Sequence, residues 1–313
     1  MKEAGGIFQR APQEALRKTQ SPRFSNQQTV VRDILIGFIY SHQLKERVSD
    51  SDISETFCRV YRHIFFEIAS HPFLLEKLTL LHQTDLVRFH HSLKVAVTSG
   101  IVGLALRYDS QQLYELTIGA LLFDIGMTQL PESLIHKAGP LTKRERSKME
   151  KHTVLGYQML SSHRDVPQAA ALCALMHHER LDGSGYPHHQ RQPHIHPYAQ
   201  IVGIADVYNA LISPRSYRSA YTYHEALEYL YGAGNKLFDG ALVKTFTKHI
   251  CVYPMNSKVL LSNGKIGVVS VIDSDAIHLP VVKVIQKLDG TLIHPSYEID
   301  LKKNLDVVII NSL

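Results

Sequence analysis

Apolar residues recur along most of this chain with a helical period, and the period changes only near the C-terminal end. Val30, Ile34, Phe38 and Ile39 form one stripe, and Phe57, Val60, Tyr61, Ile64, Phe65 and Ile68 form a second. Cap-type residues Asp50 to Asp52 precede the second stripe. The two stripes predict a small helical unit over 26–83. Residues 1–25 are rich in Gly, Pro, Ser, Lys and Arg with no period and read as a disordered tail. From 84 to 252 the pattern is helical almost throughout. Helices are expected over 85–106, 110–125, 142–162, 166–180, 196–212, 222–233 and 238–250, joined by Gly, Pro and Asp. After Val252-Tyr253-Pro254 the period drops to about two. The β-branched runs Val259–Leu261, Gly267–Val269, Val281–Ile285 and Val307–Ile310, with turns at Ser262-Asn263-Gly264 and Leu288-Asp289-Gly290, predict a small antiparallel β appendage over 253–313. The expected fold is mainly α: a helical bundle with an N-terminal helical unit and that appendage.

Composition narrows the function classes. In 313 residues, 20% are charged and the net charge is +5, an excess suited to a small anionic ligand and too dispersed for a nucleic-acid groove. Cys58, Cys173 and Cys251 are far apart and odd in number, which argues against a disulfide framework. No apolar run approaches the ~20 residues that span a bilayer, and the N-terminus lacks a signal-peptide core. These features predict a cytoplasmic protein without a membrane segment. Histidine is the outlier, with 19 copies.

Several of these histidines fall on apolar stripes together with carboxylates. His91 lies on Val87–His91–Val95–Thr98–Val102, and Asp124 continues Leu113–Leu116–Ala120. His152 shares a face with Met149, Leu155 and Met159. His177 and His178 close the run 169–176, and Asp206 stands inside 201–208. An unpaired buried carboxylate costs several kcal/mol. With too few Lys or Arg at matching positions, this set is most economically explained by a divalent metal. The His/Asp ligands suit iron, manganese, zinc or nickel, as one ion or two.

Residues 177–187 read HHERLDGSGYP, and this string resembles the signature of the HD-GYP family, a branch of the HD metal-dependent phosphohydrolases whose members cleave cyclic di-GMP. The resemblance runs on through LLFDIG, LPESLIHKAGPLT, KHTVLG, ADVYNAL and RSYR, in family order and across the central block. It implies a helical HD-GYP bundle with two metal positions. The first would be held by His91, the motif histidine, Asp124 and Asp206, and the second by Asp124, His152, His177 and His178. Asp124 would bridge them as the catalytic carboxylate that helps hold the attacking hydroxide. Gly183, Gly185, Tyr186 and Pro187 would form the loop that meets substrate, and Arg215 and Arg218 would contact phosphate.

Three positions depart from the family pattern. Phe123 stands where the motif histidine belongs, Met127 where a lysine follows Ile-Gly, and Val87 where some members carry a glutamate for a third metal. Phenyl cannot ligate a metal, and Met127 removes a cation from the scissile phosphate. The loss of a ligand and a cation, with the loop kept, favours binding of cyclic di-GMP or a related nucleotide with weak or no hydrolysis. Two other readings stay open: an active phosphodiesterase giving pGpG or GMP, and a phosphohydrolase with another nucleotide substrate. Expected partners are the nucleotide, a signalling protein such as a diguanylate cyclase, and a second copy joined through the N-terminal helices, with no nucleic acid and no membrane.

Overall fold

Helix faces form where the apolar stripes fall, and their ends are set by local caps. The computed structural model describes residues 24–40, 51–213, 220–250, 253, 255–273 and 276–313. Most of the expected tail, the cap position Asp50, and Arg215, Arg218 and Cys251 lie outside the described residues. The first helices described are α1 (Asn26–Tyr40), α2 (Ser51–Ser70) and α3 (Pro72–Thr84). Phe57, Tyr61, Ile64, Phe65 and Ile68 are buried as the second stripe predicts. In α1 the buried line is Val31, Leu35 and Ile39, and Val30 is 51% exposed. Neighbouring positions on a helix share a broad apolar face, so the period alone could not choose between these two lines.

Helices α4 (Leu86–Ala105), α5 (Ser110–Leu122), α8 (His152–Ser161), α9 (Gln168–Met176) and α10 (Pro197–Leu211) make the centre of the bundle, with α6 (Glu132–Ile135) and α7 (Lys143–Glu150) between α5 and α8. Helices α11 (Tyr223–Ala233) and α12 (Gly240–His249) close it. Asp85 caps α4 by accepting the Arg88 amide at 2.8 Å, and a capping box of Asp109 and Gln112 starts α5. Helices α2 and α3 pack on α4 and α5. One connected apolar cluster runs from Val31 through the bundle to Ile309 in the sheet.

Three expected helices are shorter or divided, and each break falls at or next to a residue of the predicted metal set. The helix expected over 110–125 stops at Leu122, and Asp124 opens a 3-10 turn, Ile125–Gln129. The span 142–162 breaks at Lys151 into α7 and α8. The span 166–180 holds only α9, with His177 at its C-cap. On α4 the expected stripe is correct at Val95, Thr98 and Val102, but Val87 is 82% exposed. It sits in the first turn, beyond the helices that cover the rest of that face.

The appendage is a five-stranded antiparallel sheet of order β4-β3-β2-β1-β5, made of β1 (Lys258–Leu261), β2 (Lys265–Val271), β3 (Val281–Lys287), β4 (Leu292–Asp300) and β5 (Ile309–Ser312). Strand β4 was not expected, because Pro295 and a polar run hide it. It lies at the sheet edge, where a missing N–H is tolerated. Cys58 and Cys173 are free thiols. Among the described residues, no helix is long and apolar enough to cross a membrane.

Candidate metal centre

Four of the predicted ligands meet where α5 ends, α8 begins and α9 ends. Asp124 precedes the 3-10 turn, His152 is the first residue of α8, His177 caps α9 and His178 follows it. One donor atom from each lies within 4.8 Å of every other. The approach depends on Gly126. A Cβ there would sit 2.0 Å from the His152 carbonyl oxygen, so only glycine lets the Asp124 turn lie against the start of α8.

Hydrogen bonds fix the imidazoles. His152 Nδ1 lies 2.8 Å from the Met149 carbonyl oxygen, and His177 Nδ1 lies 2.9 Å from that of Cys173 and 3.1 Å from that of Ala174. A carbonyl only accepts, so each Nδ1 carries a proton, and a ring bound to a metal would turn its Nε2 lone pair inward. Those two Nε2 atoms are 3.4 Å apart and stand 3.3 and 3.6 Å from Asp124 Oδ1. Burial pushes the His152 imidazole below its ordinary value, and burial with the neighbouring His177 and His152 pushes His178 well below it. Inward lone pairs facing one another and a carboxylate oxygen repel unless a cation lies among them. Three imidazoles and one carboxylate therefore fit a first-row divalent ion.

Two other members of the expected set turn to each other instead. His91 Nε2 lies 2.7 Å from Asp206 Oδ1, and neither residue joins the four-residue cluster. Phe123 is fully buried between the two groups, edge-on to His177 at 4.9 Å and to His91 at 6.1 Å between ring centres. The second oxygen of Asp124 is also taken: Arg88 Nη1 donates to Oδ2 at 2.6 Å. Burial opposes the Asp124 charge, but the adjacent Arg88 guanidinium together with the facing His177 and His152 rings outweighs it and holds the carboxyl well below its usual range.

This qualifies the expectation that too few Lys or Arg stand at matching positions, because Arg88 is paired with Asp124. Arg88 precedes His91 by about one helical turn, a spacing that could have pointed to it. Met127 is buried and lines a small cavity together with Arg88, Asp85 and Thr128.

The loop after His178 is held by its own backbone and by Glu179, which the sequence reading passed over. Glu179 is 4% exposed and accepts the His188 amide at 2.8 Å and the Gln190 amide at 2.9 Å, one on each oxygen. Asp182 accepts the Ser184 amide at 2.9 Å, and Gly183 takes φ +77. Gly185 is packed so tightly that a Cβ would meet the His178 carbonyl oxygen at 2.3 Å. The Tyr186 ring stacks on His178 at 4.6 Å, and Pro187 follows, half-buried. Burial, with Asp124 and Asp206 nearby, raises the Tyr186 phenol so that it remains a donor. The loop thus carries a protonated hydroxyl beside the four-residue cluster.

A family model described as an HD domain matches residues 67–242, from within α2 into α12 and more than half of the chain. The chain belongs to the HD-domain family, in its HD-GYP branch. Three curated relatives are similar to this chain. A cyclic di-GMP phosphodiesterase of Pseudomonas aeruginosa is 31% identical over 75% of this chain and 56% of its own length. A cyclic di-GMP phosphodiesterase response regulator of Xanthomonas campestris pv. campestris is 40% identical over 47% of this chain and 39% of its own length. A cyclic di-GMP phosphodiesterase of Thermotoga maritima is 32% identical over 62% of this chain and 52% of its own length. The chain therefore matches between 39% and 56% of the length of these relatives.

Proposed function

We propose that this HD-GYP protein binds cyclic di-GMP at a centre built for one metal ion and hydrolyses it weakly or not at all. The observation that carries the reading is the division of the ligand set. Asp124, His152, His177 and His178 converge on one point, whereas His91 and Asp206 are hydrogen-bonded to each other behind the buried Phe123 ring. The names of the three relatives support cyclic di-GMP as the ligand.

A divalent ion, when bound, would be held by Asp124, His152, His177 and His178 and would supply a Lewis acid for a phosphate oxygen. The chain provides the rest. Buried Nδ1–H bonds orient His152 and His177, Glu179 shapes the loop, and the Tyr186 hydroxyl is available to a phosphate oxygen. Met127 gives no charge where a lysine would stabilise the scissile phosphate, so the arrangement favours holding the dinucleotide over breaking it. The complete four-residue set favours the second reading, an active phosphodiesterase giving pGpG or GMP.

Cyclic di-GMP titrations and linear-product assays on the same protein, with Mn(II) or Fe(II) supplied anaerobically, separate the two. Saturable binding without product is the expected result. Product formation that His178→Ala abolishes would replace the binding reading with the enzymatic one.

A further inference from the structure

We infer that Arg88 is a built-in substitute for a metal ion: its guanidinium occupies the outer oxygen of Asp124 and limits the centre to one ion. The inference rests on the metal-binding reading proposed above. Asp124 directs its two oxygens to two different sets of partners. Oδ1 faces His152 and His177 at 3.3 and 3.6 Å, and Oδ2 receives Arg88 Nη1 at 2.6 Å.

The arginine is held in place by its own helix cap. Asp85 accepts the Arg88 backbone amide on Oδ1 at 2.8 Å and the Arg88 Nε on Oδ2 at 3.2 Å. The side chain therefore enters the site already aimed, with 23% of its surface exposed. A lysine or histidine in that place could shed its proton to make way for a metal, but a guanidinium cannot. A divalent ion on the same carboxylate oxygen would stand beside a fixed positive charge in a largely buried site, where screening is weak.

Two further features agree with a closed second position. His91 and Asp206 satisfy each other at 2.7 Å and need no ion between them. Phe123 fills the space between them and His177 with a ring that is 0% exposed. Replacing the missing histidine alone therefore leaves the obstacle in place, because Arg88 still holds Asp124.

The test counts ions on the full chain. Wild type, Phe123→His and Phe123→His with Arg88→Met are equilibrated with Mn(II), desalted, and measured for metal per chain. The paramagnetic spectrum of each reports whether two manganese ions are spin-coupled. The expected result is about one ion for wild type and for Phe123→His, and about two coupled ions for the double variant. Two ions in wild type or in Phe123→His alone would overturn the inference, as would a double variant that stays at one. Should Arg88→Met fail to fold by circular dichroism, Arg88→Gln in the same background is judged by the same counts. Cyclic di-GMP affinity is measured separately: its absence with these ion counts intact would defeat the proposed function and leave the role of Arg88 standing.

Discussion

Around Asp124 Oδ1, His152, His177 and His178 aim donor atoms inward, whereas His91 and Asp206, beyond the Phe123 ring, aim theirs at each other. Both groups are buried or nearly so, and both lie on helices of the same bundle or at their ends. They differ in what neutralises them. The first group keeps lone pairs that only an added cation can satisfy, and the second needs nothing from outside. Kinship of sequence places both groups in one fold, but the partners found inside the protein decide which remains a ligand site.

Breaking the wall between the groups should have the largest effect. Phe123→Ala removes a fully buried ring and is expected to cost ~3–5 kcal/mol, read as a lower denaturation midpoint with metal removed. A near-neutral result would mean that the ring does not hold the two groups apart.

Next comes the loss of a donor from the convergent group. His177→Ala should weaken Mn(II) binding by about 100-fold or more, since even residues behind metal ligands often cost 10–100-fold. Competition with a chelating dye measures it. The paired group should behave differently. Asp206→Ala is expected to leave Mn(II) affinity within about threefold and to cost only ~1 kcal/mol for the lost hydrogen bond. Equal losses of affinity in the two variants would erase the contrast between the groups.

The smallest effect concerns pH. His152 and His178 have their imidazoles lowered by burial in the folded protein. Below the ordinary imidazole value of ~6.5 the unfolded chain takes up protons that these buried rings refuse. The folded state therefore loses stability as the pH falls through that value, until the rings protonate in the folded protein as well. Thermal melts of the chelator-treated protein at pH 7.5 and 5.5 should show a drop of a few degrees, at about 2–4 °C for each kcal/mol lost. The manganese-loaded protein should resist this drop while the ion stays bound. No acid shift in the metal-free protein would mean that the rings are less buried than the structure shows.

Much of this arrangement was legible in the chain. Apolar periodicity located the helices, and residues such as Leu113, Leu116 and Ala120 led correctly to the inward carboxylate of Asp124. The run 177–187 named the loop, and the change to a period of two located the sheet. The breaks were harder. LLFDIGM does not place the end of α5 at Leu122 by its period, and the close approach of Gly126 to the His152 backbone that follows it is a tertiary contact. Strand β4 was missed because its pairing with β3 supplies the order that Pro295 and its polar neighbours do not advertise.

The sequence by itself determined the helical bundle, the family, and the identities of the inward histidines and carboxylates, since these follow from local period and from side-chain types at successive positions. Tertiary structure alone decided the pairings. Arg88 reaches Asp124 across 36 positions and His91 reaches Asp206 across 115. A charge is neutralised by whatever lies within a few ångströms in space, and linear order does not encode that distance.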